Sequence, residues 1–237
     1  MKKLIYVSGG KGGIGKSITA VSIADYFAKS GSVLLIDADP TNADSFTPIN
    51  TCKQDGVTAI RANIRSEDAT GQIDTSGLTA LFDNELVISV DTVIIDAPAG
   101  DTVLLASAGS FVIEICKALG AKSVFCWLVD SMDRAAVNTV GTAWNEIQGA
   151  DQILMVKNHG KSNNFDFYEA SETMAKIKSS PNVTSVDLPK IAIRLIENIK
   201  IDRMTWKKIA EETPIGNRVE GQRVRKLLHQ SFEDAGL

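Results

Sequence analysis

Gly10-Lys11-Gly12-Gly13-Ile14-Gly15-Lys16-Ser17 restricts the fold of this chain more than any other stretch. It satisfies G-x-x-x-x-G-K-[ST] and stands between a short β-rich run, Leu4-Ile5-Tyr6-Val7, and residues 16–29, where Ala20, Ile23, Ala24 and Phe27 recur at helical spacing. Strand, glycine loop and helix in that order make a phosphate cradle. Glycines let the backbone wrap close to an anion with N–H groups pointing inward, and the helix start adds the positive end of its dipole. In such a loop Lys16 contacts the β- and γ-phosphates and Ser17 ligates Mg2+. A glycine-rich turn with no ligand would need neither. Gly10, Lys11, Gly12, Gly13, Ile14, Gly15, Lys16 and Ser17, with Thr19 close behind, are therefore the candidate nucleotide-binding residues.

The rest of the chain continues the pattern. Val33-Leu34-Leu35-Ile36, Thr92-Val93-Ile94-Ile95, Val124-Phe125-Cys126-Trp127-Leu128-Val129 and Ile153-Leu154-Met155-Val156 are continuous apolar runs, as expected of strands buried on both faces of a parallel sheet. Helical spacing over residues 102–119 and 134–147 separates the later ones. This predicts an α/β fold: a doubly wound, mainly parallel sheet flanked by helices, of the Rossmann-like P-loop NTPase type, with right-handed crossovers. Residues 52–90 are rich in turn formers, with a helix expected near 78–86. Beyond Ser179-Ser180-Pro181-Asn182 a short strand is expected at 185–188 and helices at 203–212 and 218–232. At 237 residues, with 44% hydrophobic and 23% charged, the chain has material for a large core, and the absence of a linker or repeat predicts one domain over residues 1–237.

Two strand ends carry carboxylates. In Asp37-Ala38-Asp39-Pro40-Thr41-Asn42, Asp37 and Asp39 lie two residues apart on extended chain and project to one side, so one of them should face a γ-phosphate. An aspartate near pKa 4 is a poor base; its use there is orientation. Val93-Ile94-Ile95-Asp96 places a second carboxylate near Mg2+, giving an expected metal set of Ser17, Asp39 and Asp96.

Lys11 carries the resemblance to a family. Lys-Gly-Gly-x-Gly-Lys-Ser resembles the deviant Walker A sequence of the ParA/MinD superfamily of ATPases, which implies that Lys11 reaches across an ATP-bound homodimer to the partner's phosphates. Asp39-Pro40-Thr41-Asn42 resembles that family's switch I, implying that Asp39 orients the attacking water and Asn42 lies in the phosphate-sensing loop with Asp37. Asp96-Ala97-Pro98-Ala99-Gly100 resembles switch II, where backbone near Gly100 senses the γ-phosphate. Asn158, after Ile153-Leu154-Met155-Val156-Lys157, resembles the family's adenine-reading asparagine, and Pro189 stands where the family has another base-lining loop. The sequence departs from the pattern at Val129-Asp130-Ser131-Met132-Asp133, where many relatives carry Thr-Thr-Pro.

The branches of the family differ at readable positions. No cysteine follows switch II, unlike the nitrogenase iron-protein branch; the tyrosines are only Tyr6, Tyr26 and Tyr168, unlike the tyrosine-kinase branch. Ser231-Phe232-Glu233-Asp234-Ala235-Gly236-Leu237 does not suit an anionic bilayer, unlike the MinD membrane helix. The chain is most similar to short ParA-like ATPases of plasmid partition and conjugation, of the TraL or StbB kind.

Net charge is −4 overall, but residues 190–237 carry +3 and the rest −7. Arg218, Arg223, Arg225 and Lys226, extended by Lys207 and Lys208, are candidate contacts for non-specific DNA; the same pattern also describes a packing helix with a solvated basic face. Cys52, Cys116 and Cys126 form no CxxC pair and are expected to be reduced and buried. No apolar run reaches the roughly 20 residues of a membrane span, so a cytoplasmic protein without stable membrane insertion is expected, with nucleoid or membrane association open. The resemblance implies ATP/ADP and Mg2+ as ligands and slow ATP hydrolysis. It implies action in plasmid segregation or conjugative transfer through DNA or a DNA-bound adaptor protein. A membrane-associated positioning ATPase and a metabolic or metallocentre-maturation enzyme on the same fold stand as alternatives.

Overall fold

A computed structural model describes residues 2–130, 135–160 and 163–237. Seven strands form one sheet in the order β3-β2-β6-β1-β7-β8-β9, and every pairing in it is parallel. They are β1 (Lys2–Ser8), β2 (Val33–Asp37), β3 (Val57–Arg61), β6 (Thr92–Asp96), β7 (Ala121–Asp130), β8 (Gln152–Asn158) and β9 (Val183–Leu188). A two-stranded antiparallel hairpin, β4 (Ser66–Glu67) and β5 (Ile73–Asp74), stands apart.

The continuous apolar runs are explained by two cores. Leu4, Tyr6, Leu34, Ile36, Val93 and Ile95 face one; Ile5, Val7, Val33, Leu35 and Ile94 face the other. Alternate side chains thus leave water on opposite faces of the same strands. The first core is closed by α3 (Ser76–Phe82), α4 (Glu85–Ser89), α5 (Thr102–Ala118), α6 (Ala135–Ile147), α7 (Asp166–Glu169) and α8 (Glu172–Lys178). The second is closed by α1 (Lys16–Phe27), α2 (Phe46–Cys52), α9 (Ile193–Lys200), α10 (Trp206–Glu212) and α11 (Ile215–Asp234).

The doubly wound parallel architecture agrees with the sequence pattern, with three local differences. The helix expected over 78–86 is two short helices, because Asn84 turns extended and caps the second by accepting from the Leu86 N–H at 2.9 Å. The turn-rich segment 52–90 hides β3, an edge strand. Helices α2, α7, α8 and α9 and the β4–β5 hairpin have no counterpart in the sequence pattern. Cys116 and Cys126 are buried free thiols, while Cys52 is only half-buried and donates to the Arg203 carbonyl at 3.2 Å.

Candidate functional site

The glycine loop leaves the C-terminal end of β1, between β6 and β7, and runs directly into α1. Gly13 and Gly15 have φ of 74° and 100°. At Gly15, the left-handed residue before the first turn, a Cβ would also stand 2.7 Å from Asn158 Nδ2, so conformation and space both demand glycine. Lys16 is buried, and its Nζ donates to the Lys11 carbonyl across the loop at 3.2 Å. Lys11 itself is exposed. Thr19 is buried and donates to the Gly15 carbonyl at 2.9 Å, tying the first turn of α1 to the loop.

Asp96 ends β6, in register with Val7 of β1 and Asp37 of β2. It is almost wholly buried, and neither carboxylate oxygen has a hydrogen-bond partner. Burial pushes its carboxyl up to about 7; the neighbouring Asp37 adds to this, while the Ser17 and Ser45 hydroxyls and the Lys16 ammonium oppose it without closing a hydrogen bond. An orphaned buried carboxylate beside a hydroxyl and a lysine is a donor set with capacity in reserve. Hard oxygen ligands of this kind fit Mg2+.

Asp37 and Asp39 divide the labour of the following loop. Asp37 is buried: Oδ2 accepts from Ser45 N at 3.1 Å, Ser45 Oγ at 3.0 Å and Phe46 N at 3.0 Å, and Oδ1 accepts from Asp39 N at 3.2 Å. It is an anchor for both ends of the loop and the start of α2. Asp39 is partly exposed, and Oδ1 accepts from Thr41 N at 2.9 Å, Thr41 Oγ1 at 2.7 Å and Asn42 N at 3.1 Å. Burial would raise its pKa, but these bonds and the Lys16 charge outweigh it and hold the carboxyl below the usual range. Asn42 is exposed, its Nδ2 donating to Thr41 Oγ1 at 3.1 Å.

Lys16, Ser17, Asp39, Asn42 and the segment Ala97-Pro98-Ala99 line one cleft of about 650 Å³. Gly100, at φ 75°, closes the turn after that segment. Asn63, Arg65, Glu67 and Lys200 line the same cleft farther out, and sequence reasoning missed all four. It also missed Asp101, buried at the start of α5. Asp101 Oδ1 accepts from Ser8 Oγ at 3.0 Å, and burial pushes its carboxyl up to about 7 against that bond and the Lys16 charge. The only signal available was its place directly after Gly100.

Asn158 lies on the far side of the loop, where Nδ2 donates to the Ile14 carbonyl at 2.7 Å and Oδ1 accepts from Gly160 N at 2.9 Å. It lines a cavity of about 60 Å³ with Gly15, Thr19, Leu188 and Ile191. Pro189 is half-buried next to Leu188. Ser131, Met132 and Asp133, where the sequence departs from the family pattern, lie outside the described residues.

The six C-terminal basic candidates are not alike. Arg225 donates through Nε and Nη2 to the carboxylate of Asp25, buried in α1, at 2.7 and 3.0 Å. Arg223 pairs with Glu220 at 2.6 Å, Lys207 with Asp55 at 3.1 Å and Lys208 with Glu212 at 3.6 Å. Among the described residues, Arg218 and Lys226 are in no ion pair. Arg225 is thus part of the packing between α1 and α11.

Over residues 5–235 the sequence matches the family described as the CobQ/CobB/MinD/ParA nucleotide binding domain. It is 29% identical over 236 residues to Protein MobD of Acidithiobacillus ferrooxidans, covering 98% of each chain. The fold is similar to the cell division ATPase MinD of Pyrococcus furiosus, with TM-score 0.62, 16% identity and 99% of each chain covered. It is also similar to a candidate plasmid partition protein from Borrelia burgdorferi B31 bound to AMPPNP, with TM-score 0.50, 14% identity and 97% and 99% covered.

Proposed function

The chain belongs to the CobQ/CobB/MinD/ParA nucleotide-binding domain family, and on that premise we propose that it is an ATP-dependent dimerising switch, reset by slow ATP hydrolysis. The observation that carries the reading is Asp96, buried beside the glycine loop with both oxygens unpartnered. Such a carboxylate costs folding energy unless a ligand uses it.

In this reading ATP enters the cleft with its triphosphate on the loop, and Lys16 exchanges the Lys11 carbonyl for phosphate oxygens. Ser17, Asp39 and Asp96 would hold Mg2+, which when bound supplies neutralisation of the phosphate charge. Asp39 stays ionised and uses Oδ1 to fix its own loop, so its second oxygen is the one available to orient water. Thr19 and Asn158 support the loop from behind, with Asn158 and Pro189 toward the base. Lys11, exposed on the lip, is placed to meet a second protomer, and Gly100 and Asn42 flank the terminal phosphate. The output is position: plasmid partition or conjugative transfer, through DNA or a DNA-bound adaptor, with Arg218 and Lys226 as the basic residues left for phosphate contact.

Sedimentation with ATP, ADP or no nucleotide, combined with phosphate release, tests the switch. Wild type should dimerise with ATP alone, and Lys11→Ala should lose both dimerisation and turnover; unchanged behaviour in Lys11→Ala sinks the reading. Gel shift of non-specific DNA across a salt series should show ATP-dependent, salt-sensitive binding weakened by Arg218→Ala and Lys226→Ala. A second reading, ATP-dependent modification of a small molecule, draws support from the outer cleft residues Asn63, Arg65, Glu67 and Lys200. ATP binding without dimerisation would favour it.

A further inference from the structure

The loop that carries Asp39 is held by two kinds of tether. Its N–H groups are taken by carboxylates: Asp37 accepts from Asp39, Ser45 and Phe46, and Asp39 accepts from Thr41 and Asn42. Its carbonyls are taken by an arginine. Arg61, the last residue of β3, donates from a single nitrogen, Nη2, to the carbonyl of Asp39 at 2.8 Å and that of Pro40 at 3.2 Å. Arg61 is level with Asp37 in the sheet, and Ala62 N donates to the Asp37 carbonyl at 3.2 Å, so the arginine rises from a fixed base.

Packing contributes little at the turn, which is exposed. An open groove of about 190 Å³, lined by Asp37, Asp39, Pro40, Arg61, Ala62 and Asn63, runs beside the loop. Pro40 has no N–H to offer the sheet. With Pro40, Thr41 and Asn42 exposed and no ladder bond through Pro40, the direction of the Asp39 side chain depends on polar tethers at the backbone. Asp37 secures the two ends, and Arg61 secures the turn between them.

We propose that Arg61 is a positioning residue for the reacting end of the nucleotide site: it acts through the Asp39 and Pro40 carbonyls and sets where the Asp39 carboxylate stands. The role of Asp39 rests on the reading given under Proposed function; the clamp itself does not. Because one nitrogen serves both carbonyls, a lysine ammonium with its three donors can replace it, whereas a residue that must grip a phosphate with a guanidinium fork would not be replaced so easily.

The test uses Arg61→Met, which keeps the aliphatic stem, and Arg61→Lys. In nucleotide-free protein, amide hydrogen exchange at Thr41 and Asn42 should accelerate at least about tenfold in Arg61→Met and stay within about threefold of wild type in Arg61→Lys. With ATP, kcat should fall about tenfold in Arg61→Met with KM changed less than about twofold, and Arg61→Lys should recover at least half of the loss. Unchanged exchange in Arg61→Met overturns the clamp. Exchange that accelerates with kcat unaltered overturns the positioning role. Equal loss of kcat in both variants also overturns it, in favour of direct contact between the guanidinium and phosphate. If wild type hydrolyses no ATP, the hydrolysis reading fails, and the exchange experiment still decides the clamp.

Discussion

Two aspartates, Asp25 and Asp96, are removed from water to the same degree and treated in opposite ways. Asp25, in α1, receives two bonds from Arg225, one from His229 Nε2 at 2.7 Å and one from Gln54 Nε2 at 3.2 Å. His229 Nδ1 in turn lies 2.7 Å from Lys29 Nζ, so the cluster runs on to the end of α1. Asp96 receives nothing. A buried carboxylate that the chain saturates with its own donors is architecture; on the function proposed above, the one left bare beside a lysine and a serine serves a ligand from solution. Burial is the same in both; the satisfied oxygens differ.

The comparison can be broken most directly at Asp25. Asp25→Ala leaves Arg225 partly buried without its partner, and should cost about 3–5 kcal/mol in urea denaturation; a loss below about 1 kcal/mol would mean that the cluster does not hold α11 to α1. Asp96→Asn should do the reverse. It removes an uncompensated charge, so the nucleotide-free protein should be at least as stable as wild type, while Mg2+-dependent ATP turnover should fall roughly 100-fold. Lower stability with normal turnover would reverse the roles assigned to the two residues.

The pH dependences should have opposite slopes. Burial alone would raise the Asp25 carboxyl, but bonds from His229 and Arg225 outweigh it and hold it below its unfolded value of 3.8; its contribution is present above that value and is lost as pH falls through the lower folded pKa. Asp101, at about 7 when folded against 3.8, contributes stability that is full below 3.8 and lost as pH rises toward 7. Nucleotide-free Asp101→Asn should therefore show a flatter stability profile between pH 4 and 7 than wild type, and an unaltered slope there would count against the assignment. The smallest effect is expected at the rim. Lys207→Ala and Lys208→Ala, which break exposed pairs with Asp55 and Glu212, should change stability by no more than about 0.5 kcal/mol in thermal or urea melts.

What was legible in the sequence was local. The glycine loop, the apolar strands and their terminal aspartates each declare themselves within ten residues, and the parallel architecture follows from runs that need two buried faces. Val57-Thr58-Ala59-Ile60-Arg61 did not declare itself, because an edge strand covered unevenly shows neither a continuous apolar run nor a clean alternation. Helix α2 is short and holds Pro48, so its pattern resembles a turn. Asp37 and Asp39 read in the sequence as a pair, but which one faces the cleft depends on Ser45 and Phe46 folding back onto Asp37. Arg225 was readable only as one basic residue among several, since its partner is 200 positions away.

That separation bears on the order in which the protein can be made. β1 pairs on its two sides with segments about 90 and about 120 residues later, so the strand that launches the glycine loop has no neighbour when it leaves the ribosome. Asp25 waits longer still, until α11 delivers Arg225 and His229. Synthesis at about 5–20 residues per second leaves α1 exposed for tens of seconds with a bare carboxylate among its apolar residues. A chain cut short before Arg225 would carry every nucleotide-binding motif and still lack the donors that let α1 go under.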